Sequence, residues 1–383
     1  MKKPAVGHTK VLKVISELFA EDLHARRVDS LADATTGVMR AGALGVYAIG
    51  QALAVVKGLN AKHAVKQVDR LMSNAGIVVD HLLARWVPFV VASRDELLVA
   101  LDWTDFEADD QVTLALHLVT SHGRTTPLLW KTVVKSELKG QQTQHEDAML
   151  RRLRELVPES IRVTVLADRG FADQALYALL GELRLDFVIR FRDAIRVESA
   201  EGESKPAREW VPANGRPKLL RGAAVTADRT PVAAVVCVRR KAMKEGWCLA
   251  SSLGDAPASV IVTLYAKRFT IEESFRDLKD ARFGFGLSDT RISKPERRDR
   301  MLLIGALATV LLTLLGAAGE ETGIDRMLKV NTSKKRAYSL LRQGRMLYDL
   351  LPNMPAQRAR PLVAAFTRRV AELPMIQEVL AEI

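Results

Sequence analysis

Four residues about two-thirds of the way along the chain have the types and spacing to act together: Tyr265, Arg268, Glu272 and Lys279. Wound as one helix at about 100° per residue, they fall within an arc of about 60°, and Arg276 lies about 20° beyond its edge. Ile271, Phe275 and Leu278 form an adjoining apolar stripe that can face a core. One narrow strip thus holds a carboxylate, three cations and a phenol, while Glu273 points away from it. A carboxylate in that company can be a metal ligand surrounded by phosphate contacts. Taken alone, the helix also admits a plainer reading, a solvated face carrying ion pairs.

Divalent-metal chemistry needs more than one carboxylate, so the question is which elements could bring others to Glu272. Residues 96–101 are a short apolar run that ends in Asp102-Trp103-Thr104-Asp105. Residues 112–120 and 127–134 are two further strand-like runs, separated by the turn-prone 121–124, and the three together predict an antiparallel meander. An amphipathic helix over 146–156 follows, then a buried strand over 161–167 that runs into Asp168-Arg169-Gly170-Phe171. A helix over 173–184 and a strand over 186–190 complete a β-β-β-α-β-α-β order. Asp102 is expected just past the first strand and Asp168 just past the fourth. If those two strands are neighbours, both carboxylates project from one edge of the sheet, and with a later helical Glu they can ligate two divalent cations. An aspartate at a strand end is also a common turn former, so neither is diagnostic alone.

The rest of the chain sets the context. At 383 residues it exceeds one ordinary core. Its 57 Lys and Arg against 45 Asp and Glu leave a net charge of +12, which favours a polyanionic partner such as nucleic acid or an anionic surface. Cys237 and Cys248 fit no CxxC or zinc spacing and read as small buried residues in a reducing compartment. The start of the chain has no pattern of a secretory leader. Residues 301–319 are uncharged and long enough to span a bilayer, but a helix apolar all round is also what a large core contains, and the core reading is preferred.

Residues 9–94 read as helices. Within 61–74, Lys62, Lys66 and Arg70 make a basic stripe and Val65, Val68 and Met72 line another face, which suits a phosphate backbone or a solvated surface. Between 193 and 250, polar linkers alternate with β-rich runs at 218–225, 231–239 and 246–251, an all-β insertion before the last helix of the α/β unit. Trp210 and Trp247 lie in it; each is the kind of residue that fills a core, although an exposed Trp near nucleic acid can stack on an unpaired base. Beyond the apolar helix, Lys329, Lys334-Lys335-Arg336, Arg345, Arg358, Arg360, Arg368 and Arg369 form a basic helical tail.

These residues resemble the bacterial cut-and-paste DDE transposases of the insertion-sequence-4 family, marked by Tyr, two residues, Arg, three residues, Glu, six residues, Lys. Tyr265, Arg268, Glu272 and Lys279 match it in identity and spacing. The likeness extends to 61–74, 102–105, 166–171, 247–250 and 283–287, and the wording around Glu272 is most similar to the Tn-ten type. The resemblance implies an α/β fold: an RNase H-like mixed-sheet catalytic core over 96–192 and 251–319, an all-β insertion over 193–250, an N-terminal helical DNA-binding region over 1–95 and a C-terminal helical region over 320–383. It implies that Asp102, Asp168 and Glu272 are catalytic and bind two Mg²⁺ ions, with Mn²⁺ able to substitute. Tyr265, Arg268 and Lys279 match positions that hold transposon-end phosphates, and Trp247 matches an aromatic that stacks on a flipped base. The implied partners are double-stranded DNA, as terminal inverted repeats and as target, and a second copy in a synaptic homodimer. The implied setting is the bacterial cytoplasm, with no membrane.

Two other readings share these residues. An RNase H-like nuclease or resolvase would use the same carboxylates without end-specific strand transfer. A transposase-derived DNA-binding protein would be catalytically silent, against which the intact Asp102, Asp168 and Glu272 argue.

Overall fold

The computed structural model describes residues 6–371 apart from Ala242 and Lys334, so part of the expected basic tail lies outside the described residues. The chain opens with five helices: α1 (His8–Phe19), α2 (Ala25–Ala41), α3 (Val46–Lys57), α4 (Ala61–Met72) and α5 (Val79–Val91). Each turns an apolar side inward. In α4, Ala64, Val68, Leu71 and Met72 are buried, and the Asn60 side chain caps the helix by accepting from Lys62 N–H.

The period then changes to that of strands. β1 (Glu96–Phe106), β2 (Gln111–Val119) and β3 (Thr125–Val134) form the expected meander. They are followed by α6 (Gln142–Leu156), β4 (Arg162–Ala167), α7 (Gln174–Glu182) and β5 (Asp186–Phe191). β4 pairs with β1 in parallel and β5 pairs with β4 in parallel, because α6 and α7 supply the crossovers that parallel neighbours need. The two aspartate-bearing strands are therefore adjacent.

The β-rich stretch does not form a sheet of its own. β6 (Arg196–Glu198), β7 (Ser204–Pro206), β8 (Lys218–Val225), β9 (Thr230–Val238) and β10 (Trp247–Ser251) continue the first sheet through an antiparallel pairing of β10 with β5. The result is one ten-stranded mixed sheet ordered β3-β2-β1-β4-β5-β10-β9-β8-β6-β7. Cys237 and Cys248 are free, buried and directly opposite each other on β9 and β10. Trp210 is also buried, with its indole N–H donating to Val197 O.

α8 (Ala258–Lys267) and α9 (Thr270–Lys279) come next, then α10 (Pro295–Glu321), α11 (Leu340–Leu350) and α12 (Ala356–Ala371). The single helix expected over 265–279 is two helices. At Arg268 and Phe269 the backbone stays helical, but its hydrogen bonds tighten to i→i−3, with Arg268 N–H donating to Tyr265 O and Ile271 N–H to Arg268 O. α10 contains the apolar run 301–319 and is long and apolar enough to cross a membrane, yet 94% of its most apolar window is buried inside the fold. It is the central core helix, packed against α2, α11, α12 and β3. Several cations of the C-terminal stretch are used internally: Arg336 pairs with Glu320, and Arg368 and Arg369 pair with Glu321.

Candidate active site

The parallel register of β1 and β4 ends at Leu101 opposite Ala167. Asp102 and Asp168 are the residues that follow this pair in the chain, so the two aspartates lie side by side. Their settings differ. β4 stops at Ala167, and Asp168 turns the chain, its Oδ1 accepting from Gly170 N–H at 2.7 Å. β1 continues to Phe106 because β2 still pairs with it, and Asp102 faces Ala115 inside that ladder. The expected position of Asp102 beyond its strand is thus corrected: it lies within β1, just past the reach of β4. Its Oδ1 accepts from Trp103 N–H at 2.9 Å, and the Trp103 indole is held by Glu146 at 2.7 Å.

The third carboxylate arrives on α9. Glu272 lies in its first turn and is half exposed, while Ile271 and Phe275 are buried against the sheet. Arg268 joins the two elements: its guanidinium donates to Asp102 Oδ2 at 3.2 Å and to Glu272 Oε1 at 2.5 Å. Arg268 is only 5% exposed. Burial opposes its charge, but Tyr265, Asp102 and Glu272 together hold its pKa above the ordinary value.

Asp102 reports the electrostatics of the cluster. Burial is the largest influence and pushes its pKa up, to about 6, the Arg268 charge pulls it down, and the Asp168 and Glu272 charges push it up again. A buried aspartate facing two further carboxylate charges, with one buried guanidinium as counter-ion, is part of a hard oxygen donor set whose repulsion a divalent cation would relieve. The residue types fit Mg²⁺ or Mn²⁺. As the side chains stand, no group of three or more His, Cys, Asp and Glu among the described residues converges tightly enough to hold a metal ion.

The other sequence-nominated residues separate into two places. Tyr265 is buried at the end of α8, and burial raises its pKa. Lys279 donates to Asp105 O at 2.5 Å and sits over the Phe106 ring, so it reaches the continuation of β1 beyond Asp102. Trp247 starts β10 and packs its ring edge-on against Tyr265, centroids 4.9 Å apart. Lys62, Lys66 and Arg70 are exposed on α4, away from the carboxylates in sequence and carried by a separate element. Arg276, which shares the strip on a helical wheel, pairs with Glu273 instead.

Phe269 was not singled out from sequence. It is 37% exposed, stacks on Trp247 with centroids 5.8 Å apart, and carries the Arg268 guanidinium on its ring at 4.6 Å. A large aromatic between Arg268 and Glu272 at an otherwise polar turn was the available signal. Trp103 and Glu146 were also missed, because their contact joins residues 43 apart.

A mixed sheet with two adjacent aspartate-bearing strands and a helical glutamate defines the architecture of RNase H-like nucleic-acid enzymes. The family model for the transposase DDE domain matches residues 93–311, more than half of the chain, and the protein belongs to this family of DDE transposases. No curated protein matches the chain.

Proposed function

We propose that the protein is a cut-and-paste transposase of the insertion-sequence-4 kind, nearest the Tn-ten type, acting in the bacterial cytoplasm on the terminal inverted repeats of its element. The observation that carries this reading is the adjacency of Asp102 and Asp168 across the β1–β4 pair, with Arg268 tying Glu272 to Asp102. The Tyr265, Arg268, Glu272 and Lys279 spacing supports the finer assignment.

In this reading Asp102, Asp168 and Glu272 hold the divalent cations, Mg²⁺ with Mn²⁺ as a substitute. When bound, those ions supply the charge that activates the attacking oxygen and stabilises the leaving one in an in-line displacement. Arg268, at the break between α8 and α9, and Lys279, at the end of α9, match positions that hold transposon-end phosphates. The Arg268 guanidinium lies over the Tyr265 ring at 5.9 Å, and Trp247 with Phe269 offers aromatic faces on which an unpaired base can stack. The reaction runs from a nick, in which water attacks phosphorus and the P–O3′ bond breaks, to a hairpin, in which the freed 3′-hydroxyl attacks a phosphorus of the opposite strand and displaces the 3′-oxygen on its other side. Hairpin opening and strand transfer to target DNA follow. We assign the helices of 1–95 to DNA binding, with Lys62, Lys66 and Arg70 on phosphates. Residues 96–192 and 251–319 form the catalytic core, 193–250 the β insertion and 320–383 a C-terminal helical region. A synaptic homodimer bridges the two ends.

The test incubates purified protein and Mg²⁺ with DNA carrying the element's terminal repeats. Hairpinned ends that vanish in Glu272→Ala support the proposal. Cleavage that needs no metal, or none on the correct ends, contradicts it.

A further inference from the structure

Glu272 stands near the start of a ten-residue helix whose N-terminus has no side-chain cap. Helices this short are marginal on their own, so something outside α9 must set where its carboxylate points. Ile271 and Phe275 pack on the sheet, but the next part of the helix surface does not rest on a filled core. Ser274, Asp277 and Leu278 line a small cavity of about 60 Å³ between α9, β2–β3 and α10, whose far wall includes Thr309 and Thr313.

Beside this cavity run directed polar contacts. Ser274 and Asp277 are one turn apart, and relative to Glu272 they lie about 200° and 140° around the helix, on the side away from the metal-facing carboxylate. The Ser274 hydroxyl accepts from Thr125 N–H at 2.8 Å and bonds the Thr125 hydroxyl at 2.9 Å. The Asp277 carboxylate accepts from Arg124 Nε at 2.5 Å and faces its Nη2 at 3.5 Å, and Arg124 Nη2 also lies 3.7 Å from Glu273. Arg124, in the turn before β3, and Thr125, its first residue, therefore grip two residues one helical turn apart. Thr125 is itself held by His117 Nδ1 at 2.8 Å, and burial keeps that imidazole neutral by lowering its pKa to about 3.

The far end of α9 is locked as well. Asp277 O accepts from Phe285 N–H at 2.8 Å, and a Cβ at Gly284 would stand 1.8 Å from that oxygen, so only glycine permits the approach. β2 and β3 belong to the meander that carries Asp102. The same hairpin thus references both Asp102 and Glu272.

We propose that Arg124 and Thr125, acting on Asp277 and Ser274, form a clamp that sets the rotation and height of α9, and that Arg124, Ser274 and Asp277 are positioning residues for Glu272. The proposal rests on Glu272 being a metal-binding catalytic residue. Through-space misplacement of a reacting group by about 1 Å can cost about a hundredfold in rate, so a loosened clamp acts on turnover rather than on DNA affinity.

The experiment compares wild type with Arg124→Gln, Asp277→Asn, Ser274→Ala and the reversed pair Arg124→Asp/Asp277→Arg. It measures cleavage rate at saturating end DNA, DNA affinity, Mn²⁺ affinity by electron paramagnetic resonance, and melting temperature, with Glu272→Ala as control. We expect each of the two charge-removing variants to cleave roughly tenfold more slowly and to bind Mn²⁺ more weakly, with DNA affinity within about threefold of wild type. Ser274→Ala should show a smaller loss of the same kind, and the reversed pair should recover part of the rate. Wild-type rates in Arg124→Gln and Asp277→Asn overturn the clamp. So does a rate loss that follows melting temperature while Mn²⁺ affinity stays fixed. If Glu272→Ala itself cleaves and binds Mn²⁺ normally, the metal-site reading fails rather than the clamp.

Discussion

Asp102 and Arg268 are 166 residues apart in the chain and meet as an ion pair of 3.2 Å, with the same guanidinium holding Glu272. The planar fork of arginine spans two carboxylates at once; the single ammonium of lysine cannot hold both in the same geometry. Arg268→Lys should therefore leave the fold intact but reduce end cleavage at least about tenfold. Cleavage kinetics beside a thermal melt check this, and a wild-type rate would show that bridging is dispensable.

Trp247 and Phe269 are stacked, and the pair lies beside Arg268. Residues that act as one unit give non-additive effects. Trp247→Ala and Phe269→Ala should each slow hairpin formation more than first nicking, and the double variant should be little worse than either single one. Resolving nicked and hairpinned products on denaturing gels tests this. Equal loss of both steps would assign the rings to structure.

Much of this arrangement was legible before the fold was known, and the rest was hidden for physical reasons. The runs at 96–101, 161–167 and 218–225 are apolar or β-branched enough to identify strands, and parallel pairing follows once α6 and α7 intervene. The length of β1 was not legible, because Asp102, Thr104 and Asp105 break both the apolar run and any strict alternation, and this end is kept in the sheet by β2 alone. The break between α8 and α9 involves neither Pro nor Gly, so no local signal marks it. The extension of the sheet through β10 beside β5 is a pairing of residues about 60 apart, which composition does not encode. Glu272 could be nominated from its cationic company, but its link to Asp102 is a long-range contact that only the packed structure displays.

The basic stripe of α4 offers a separable test. Lys62, Lys66 and Arg70 are exposed at four-residue intervals. If each neutralises one phosphate, their joint replacement by alanine should lower the slope of log affinity against log salt by about 2.7, at about 0.9 per contact. Titrations of end DNA at several salt concentrations measure it, and an unchanged slope would remove α4 from the interface.

Asp299 connects pH to stability. It is buried on α10, where Oδ1 accepts from Thr132 N–H at 3.0 Å, and burial pushes its pKa to about 7, partly offset by the hydrogen bonds from Thr132. A carboxyl whose folded pKa exceeds its unfolded value stabilises the fold fully below the ordinary carboxylate range and loses that contribution as pH rises through about 7. Asp299→Asn cannot titrate. Its stability relative to wild type should therefore rise between about pH 4 and pH 7, by an amount on the order of 2–4 kcal/mol. Urea unfolding across that range checks it; a constant difference would contradict the assignment.

The central claim is that Asp102, Asp168 and Glu272 act as one metal site, and it is tested most directly by Mn²⁺ binding to the protein and its three single alanine variants. Electron paramagnetic resonance titration at pH 7.5, about 1.5 units above the raised pKa of Asp102, keeps proton competition small. The expected result is saturable binding in wild type and a loss of affinity of about tenfold or more in each of Asp102→Ala, Asp168→Ala and Glu272→Ala. Wild-type Mn²⁺ affinity in all three variants would contradict the account.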